Sequence, residues 1–257
     1  MNNIGYRVKL NDYLESSDKL INFFDEYFSL FDICEIKVNK CLEQSEIFAK
    51  YLPYIIKQYG NKLSFHINKN LIVKNQELSN MENIILSAIK RNGLNRTYFI
   101  THLNGNIESS YIKQIARYSN LFGENVMLLL ENAETNISNI ILLDQITELI
   151  NDLNEKVGLC LDVGHLFVNE YNLNNFNEYF YQNNLSKLIY EYHVHNVKNG
   201  VAHQKLHNGI IEYEDIIKII GLKNYFARII LEHEVEDMHK DGMENVLYLK
   251  RKLQTYK

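Results

Sequence analysis

Proline and cysteine are scarce in this sequence, and each shortage narrows the kind of protein that it encodes. Pro53 is the only proline, and no stretch rich in proline, glycine or serine divides the 257 residues, so a single domain is favoured over two. The three cysteines, Cys34, Cys41 and Cys160, lack CxxC spacing, and their odd number leaves one unpaired. This usage indicates a reducing cytoplasm rather than a disulfide framework.

Long apolar runs, a basic excess and several catalytic motifs are also missing. No apolar run approaches the ~18 residues of a membrane span, and residues 1–10 lack the core of a signal peptide, so no membrane partner is expected. The formal net charge of −5 does not indicate binding to nucleic acid, although an acidic protein can still carry a local basic patch that binds it. Without GxGxxG, GxxxxGKS/T, GxSxG or HExxH, dinucleotide binding, P-loop chemistry and serine hydrolysis lack support.

The sequence does contain a series of short apolar runs that each end in a residue able to bind a metal. Buried parallel strands have this apolar character, and an imidazole or carboxylate at such an end needs a partner. The end residues are 29 to 39 positions apart, about the length of one βα unit. The pattern therefore indicates one shared metal site. The six end residues are His66, His102, Glu131, Asp162, His193 and Glu232.

Two further apolar runs, residues 3–10 and 31–38, raise the number of predicted strands to eight. Helical periodicity over residues 42–60, 75–92 and 137–153 separates some of them, and a closing helix is expected near 240–254. The alternation predicts an α/β fold, a closed (β/α)8 TIM barrel spanning residues 1–257, rather than an open doubly wound sheet. In a barrel the C-terminal strand ends all meet at one mouth, whereas an open sheet gathers ligands at one switch point.

Local detail within these elements gives further expectations. In the helix over 42–60, the spacing predicts an inner face that includes Tyr54 and Ile55. In DVGH, Gly164 is expected to turn the chain tightly, so that Asp162 and His165 both face the mouth and suit zinc, manganese or iron(II). The alternative for DVGH is an Asx-type turn with a chance histidine.

The pattern leaves several roles open. His193 and His195 share one strand face, as do Glu232 and Glu234, and His233 is expected on the opposite face, against the helices. His66 and His102 are each typical of structural histidines, but together on adjacent strands they are candidates for a second metal. The glycine-bearing loop over 200–209 adds two further candidates, and cations near strand ends are candidates for an anionic substrate. These residues are His203 and His207, and Lys37, Lys69, Lys198, Lys205 and Arg228.

The ordered motifs LLEN, CLDVGH and HVHN, together with the final IILEHE strand, resemble those of the xylose-isomerase-like TIM barrel superfamily, which includes sugar-phosphate isomerases and epimerases and endonuclease IV. The resemblance implies that His193 is the ligand in an H-x-x-D segment in which Asn196 replaces the aspartate. It also implies that one divalent metal is held by a set of four residues. They are Glu131, Asp162, His193 and Glu232.

The endonuclease IV branch holds three zinc ions, and His66, His102, His165 and His203 match its additional positions. Val201 stands where that branch has an aspartate, so the third metal would lose a ligand unless His207 replaced it. The DNA-facing motifs of that branch are not apparent, and the E-x-E end looks more like the isomerase and epimerase branch.

Two enzymatic hypotheses follow from the resemblance. The leading one is a metal-dependent isomerase or epimerase of a small sugar, sugar phosphate or related polyol, acting through an enediolate, with Glu131 and Glu232 exchanging the proton and His165 orienting a hydroxyl. The metal is expected to be Mn²⁺ or Zn²⁺, with Mg²⁺, Co²⁺ and Fe²⁺ as alternatives. The second is a di- or trinuclear phosphodiester hydrolase that also uses His66, His102, His165 and His203, with His195 and His207 as further metal or substrate residues.

Other outcomes stay compatible with the sequence. One is a barrel that has lost catalysis and binds a ligand or partner, and another is the iron-dependent peptide oxidation of some superfamily relatives. A homo-oligomer is also compatible, since 18 tyrosines and 12 phenylalanines are enough to build an interface.

Overall fold

The computed structural model describes residues 3–67, 78–94, 96–103, 109–132, 139–153, 157–168, 180, 185–223, 226–233 and 237–256. Eight parallel strands close into a barrel, in which the last strand returns to pair with the first. This confirms the predicted (β/α)8 TIM barrel of the α/β class. The barrel strands, in chain order, are β1 (Ile4–Val8), β2 (Ile33–Val38), β3 (Leu63–Ile67), β4 (Thr97–Leu103), β5 (Val126–Asn132), β6 (Val157–Asp162), β7 (Ile189–Val194) and β10 (Arg228–Leu231).

Helices form the layer outside the barrel. Serine side chains begin three of them by accepting a hydrogen bond from a backbone N–H in the first turn: Ser16, Ser45 and Ser79, the last within a capping box with Glu82. The described helices are α1 (Ser17–Leu30), α2 (Lys40–Glu43), α3 (Glu46–Tyr59), α4 (Asn80–Arg91), α5 (Ser109–Phe122), α6 (Asn139–Asp152), α7 (Val163–Val168), α8 (Tyr213–Lys223) and α9 (Met243–Gln254). Shorter turns of 3₁₀ type span Asn11–Tyr13, Gly60–Lys62 and Leu185–Lys187, and a π turn spans Met238–Gly242. Among the residues described, no helix is long and apolar enough to cross a membrane.

The inner face of α3 differs from the predicted one. Ile55 is buried as expected, but Tyr54 is 47% exposed, and the buried face instead includes Phe48, Leu52 and Ile56. The prediction failed at Tyr54 because a tyrosine ring can lie at the edge of a helix interface with its hydroxyl in water.

A two-stranded antiparallel hairpin lies outside the barrel, formed by β8 (Asn196–Lys198) and β9 (Val201–Gln204). The prediction of a loop over 200–209 is therefore wrong for its first half. Asn199 and Gly200 both have positive φ, 52° and 73°, as a two-residue hairpin turn requires. Since β8 begins two residues after β7 ends, the hairpin directly continues a barrel strand.

The interior of the barrel changes from apolar to charged along the strands. Tyr98, Ile100, Met127, Leu129 and Cys160 form a small apolar cluster that is separate from the large core. Side chains on one face of a strand repeat every second residue, so Glu131 follows Met127 and Leu129 on the same side of β5. The apolar cluster is therefore the floor beneath the charged residues at the C-terminal strand ends.

Candidate metal centre at the barrel mouth

Four residues from four strand ends converge as the sequence predicts. Glu131 is the second-last residue of β5, Asp162 ends β6, His193 lies on β7, and Glu232 follows β10. One ligand atom from each lies within 4.8 Å of the others, and all four side chains are buried. Asp162 and His193 are direct neighbours in the sheet register. Closure of the barrel therefore forms the four-ligand set, the name used below for Glu131, Asp162, His193 and Glu232.

The contacts in the four-ligand set fit a divalent metal ion. His193 Nδ1 lies 2.6 Å from Glu131 Oε1 and 2.6 Å from Glu232 Oε1, and the second contact lacks hydrogen-bond geometry among the described residues. Three carboxylates and an imidazole are typical donors for manganese or zinc. Burial alone would raise the pKa of the Glu131 carboxyl, but the positive charges of His193, His102 and His66 hold it well below its usual range. The set is therefore ionised and rich in metal donors.

Arg7 is a cation in this site that the sequence analysis did not identify. It lies on β1, where its guanidinium forms ion pairs with Glu35 and Glu232. Its Nη2 is 3.1 Å from His193 Nδ1 and 3.7 Å from Glu131 Oε1. Arg7 thus supplies a counter-charge to the buried carboxylates. The available signal was a single arginine in the middle of an otherwise apolar strand, GYRV.

Glu35 on β2 was also missed, and it holds the second nitrogen of His193. The distance from Glu35 Oε2 to His193 Nε2 is 2.8 Å, and both side chains are buried. When Nδ1 faces the four-ligand set, Nε2 carries the proton that Glu35 accepts. This is the carboxylate–histidine–metal arrangement that fixes the orientation and tautomer of a metal-binding imidazole.

Asn196, at the position where the superfamily pattern has aspartate, has a different task. Its Nδ2 donates to the carbonyl oxygens of Leu206 (2.6 Å) and Ile211 (3.2 Å), and its Oδ1 accepts from the Ile211 N–H (2.9 Å). Asn196 therefore fixes the segment that follows the hairpin, and Glu35 supports His193 in its place.

A second carboxylate lies deeper in the barrel. Glu191 on β7 is buried, and its Oε1 accepts a 3.1 Å hydrogen bond from Ser64 Oγ. Its Oε2 has no hydrogen-bond partner among the described residues, and burial raises the pKa of this carboxyl. Cys160, Glu191 and His193 also lie close enough together to share an ion. His193 thus stands between this deeper layer and the four-ligand set.

The structure brings His66 and His102 together beside Glu131. Both Nε2 atoms lie 2.8 Å from Glu131 Oε2, and the two rings are 4.8 Å apart. The His102 contact lacks hydrogen-bond geometry, and among the described residues His102 Nε2 has no hydrogen-bond partner. Glu131 therefore offers Oε1 to the four-ligand set and Oε2 to this histidine pair, as a carboxylate shared by two metal sites would.

His165, His195 and His203 form a third group, with one ring nitrogen from each within 4.8 Å of the others. His195 is the centre of this group. Its Nε2 lies 3.0 Å from Asp162 Oδ1, and its Nδ1 lies 2.9 Å from the backbone nitrogen of His203 and 3.2 Å from the carbonyl oxygen of Asn196. His203 has a φ of 59°, an uncommon conformation for a residue other than glycine. His195 therefore joins the four-ligand set to the hairpin.

Gly164 does not form the tight turn that the sequence predicted. Gly164 lies in α7 rather than in a tight turn, and Asp162 Oδ1 accepts a 2.8 Å hydrogen bond from the His165 N–H at the start of that helix. A Cβ added at Gly164 would lie 2.0 Å from His195 Cε1. The glycine is thus required by the close approach of the imidazole.

Other predicted residues lie elsewhere. His207 does not replace the missing aspartate, because it packs edge-on against Tyr248 at 4.7 Å, and Val201 is 58% exposed on β9. Arg228 begins β10 at the opposite end from the mouth, where it donates to the carbonyl oxygens of Leu63 and Asn61. His233 is buried against Tyr6 and Asn245, as expected for a structural residue. Lys69 and Glu234 lie outside the described residues.

A comparison with protein families places the chain in a known group. Residues 103–252, more than half of the chain, match the family model described as “Xylose isomerase-like TIM barrel”. The matched part contains the whole four-ligand set. No curated protein matches the chain in sequence.

Solved structures of similar fold include a D-tagatose 3-epimerase-like protein, at 18% identity and a TM-score of 0.67, with 99% of this chain and 98% of that chain covered. An L-ribulose 3-epimerase has 14% identity and a TM-score of 0.70, with 100% and 96% covered. A protein from Thermus thermophilus, soaked with ZnCl₂, has 14% identity and a TM-score of 0.62, with 98% of each chain covered. At these identities the likeness shows the fold.

Proposed function

Because the chain belongs to the xylose isomerase-like TIM barrel family, we propose that it is a metal-dependent isomerase or epimerase of a small sugar, sugar phosphate or related polyol. The observation that carries the proposal is the convergence of Glu131 and Glu232 on His193 Nδ1 from two different strands, at 2.6 Å each. The epimerase names of similar structures support the same class of reaction.

The residues of the site suit transfer of a proton at carbon. A divalent ion in the four-ligand set supplies Lewis-acid polarisation of the substrate's carbonyl and hydroxyl oxygens. The pKa values of Glu131 and Glu232 are lowered, so each is ionised near neutral pH and can accept a proton. One glutamate removes the proton from the carbon beside the carbonyl and releases it to solvent. The other takes a proton from solvent and delivers it to the carbon, while His165 orients a substrate hydroxyl.

The test is exchange of the carbon-bound proton with solvent deuterium, followed by NMR on a panel of ketoses and ketose phosphates. We expect exchange and a second product isomer with the wild-type protein, and neither with Glu131→Gln nor with Glu232→Gln. Retained turnover in both variants would remove the two-glutamate scheme. Glu43→Gln, at an exposed position on α2, is the matched control.

A second candidate is a phosphodiester hydrolase with two or three metals. The observation in its favour is the position of His66 and His102 at Glu131 Oε2, which provides donors for a second ion. Metal analysis of protein purified without chelator separates the two: one equivalent per chain supports the isomerase, and two or three support the hydrolase. Loss of one equivalent in His66→Asn would place the additional ion at the histidine pair.

We also propose that residues 1–257 act as one barrel domain with manganese or zinc in the four-ligand set, and the zinc-soaked similar structure is compatible with this choice.

The cytoplasmic location remains a prediction from cysteine usage. Cys34, Cys41 and Cys160 are all free thiols, and the first and last are buried.

A further inference from the structure

The β1–β2 side of the barrel mouth has positive charge that the proposed proton transfer does not use. Side chains alternate along strands, so Arg7 and Lys9 lie on one face of the β1 segment, as Glu35 and Lys37 do on β2. Arg7 is paired with Glu35, and Val8 with Ile36, in the sheet register. Continuation of this register one residue past the end of β1 places Lys9 beside Lys37, and both lysines line one cavity above the Arg7–Glu35 ion pair.

These two lysines border a cavity large enough for a phosphorylated sugar. The cavity has a volume of about 1050 Å³, near the upper end of the usual range for small-molecule sites. Lys9, Lys37 and Arg7 line it together with His203 and Glu232, so it reaches from the lysines to the four-ligand set.

Lys37 lines this cavity without an ion-pair partner among the described residues. Arg7 already pairs with Glu35 and Glu232, and Lys205 lies 3.6 Å from Asp241. Among the described residues, no carboxylate lies within 4 Å of the Lys37 ammonium. Burial and the charges of Arg7 and Lys9 lower the pKa of Lys37, and they outweigh the opposing charges of Glu232 and Glu35. A half-buried ammonium crowded by like charges is stabilised when an anion binds beside it.

We propose that Lys37, supported by Lys9, binds the phosphate group of a phosphorylated sugar whose reacting end lies at the four-ligand set. Lysine ammonium groups bind phosphate as compact point charges, and two of them match the charge of a phosphate monoester near neutral pH. Arg7 does not bind the phosphate, because its guanidinium already forms ion pairs with carboxylates. The assignment rests on the proposed function for the position of the reacting end, and it narrows the substrate from sugars in general to sugar phosphates.

The test is calorimetric titration of the full-length, metal-loaded protein with inorganic phosphate, alongside Lys37→Met and the matched control Lys57→Met. Lys57 is exposed on α3, outside the barrel. We expect Lys37→Met to weaken phosphate binding about tenfold or more, as for a lost charge-assisted hydrogen bond, and Lys57→Met to leave it unchanged. Circular dichroism of each variant verifies the fold.

Three results would overturn the assignment. One is the absence of phosphate binding by the wild-type protein at millimolar concentration, and another is equal binding by Lys37→Met, which would place the anion on the metal. The third is acetate binding as tightly as phosphate, since the proposal is specific to phosphate. Turnover of an uncharged sugar that needs Glu131 and Glu232, without phosphate binding, would remove this subsite and leave the proposed function intact. Phosphate binding that needs Lys37, in a protein with no isomerase activity, would support the phosphate subsite and contradict the proposed function.

Discussion

His193 and Glu35 form a buried pair in which the imidazole Nε2 lies 2.8 Å from the carboxylate Oε2. The pair leaves Nδ1 of the same ring directed at Glu131 and Glu232. Glu35 is therefore a positioning residue, since it sets the ring orientation and tautomer that the four-ligand set needs.

Replacement of Glu35 by glutamine is expected to weaken metal binding. The amide cannot accept the Nε2 proton as strongly as the carboxylate, and we expect the affinity for Zn²⁺ to fall about 10- to 100-fold. A chelator-competition titration measures this directly, with Glu43→Gln as control. Unchanged affinity in Glu35→Gln would show that Glu35 serves Arg7 alone.

Gly164→Ala is expected to destabilise the protein. The new Cβ would lie 2.0 Å from the His195 ring, so α7 or the imidazole must move, at a cost of about 1–3 kcal/mol in unfolding free energy. Urea denaturation measures the change. The control is Gly221→Ala in α8, where the nearest atom would be 3.4 Å from the added Cβ. Because alanine is favoured over glycine inside a helix, Gly221→Ala is expected to raise the unfolding free energy by about 0.5–1 kcal/mol. Equal effects at both positions would contradict the steric explanation.

Asn196→Asp, which restores the residue of the superfamily pattern, is expected to destabilise this chain. It removes the amide that donates to the Leu206 and Ile211 carbonyl oxygens and places a carboxylate oxygen against them. The expected loss is about 1–3 kcal/mol or more in unfolding free energy. Asn83→Asp is the matched control, because Asn83 also donates to two carbonyl oxygens but is exposed. A stabilised Asn196→Asp would show that the aspartate can support His193 here.

Stability of chelator-treated protein is expected to fall as pH rises toward 9 and beyond. Burial lowers the pKa of His195, but the Asp162 carboxylate outweighs burial and the pKa rises to about 9. Because this folded value lies above the ~6.5 of an unfolded histidine, the stabilisation is complete below about pH 6.5 and is lost through about pH 9. Glu232 favours the charged form, while His165 and His203 face the same ring from α7 and β9.

Urea midpoints between pH 6 and 10 measure this dependence. His195→Gln is the comparison, since both proteins share the titration of surface lysines and tyrosines. We expect the wild-type curve to fall more steeply than that of the variant. Parallel curves would show that His195 does not bind a proton in the folded state.

The barrel and the ends of its strands could be predicted because buried parallel strands consist of continuous apolar runs in the sequence. A carboxylate or imidazole that ends such a run, as Glu131 and His193 do, is easily noticed. The same reasoning missed Arg7 and Glu35, which lie inside strands and alternate with apolar residues. Such a pattern is equally typical of a strand with one face in water, and only closure of the barrel turns that face inward.

Two other features required information that periodicity does not hold. The hairpin at Asn199 and Gly200 has a well-known turn sequence, but its strands are only three and four residues long and carry no apolar alternation. The need for glycine at position 164 arises from His195, thirty-one positions later and on another element. Such a requirement is set by tertiary contact and leaves no local trace.

Glu131 places one oxygen among the four-ligand set and the other between His66 and His102. Two occupants of these neighbouring positions would therefore share a single negative charge, and each would alter the affinity of the other by the same factor. Binding of metal to this protein should then be cooperative in one sense or the other, and a titration curve should depart from that of independent sites whenever both positions fill.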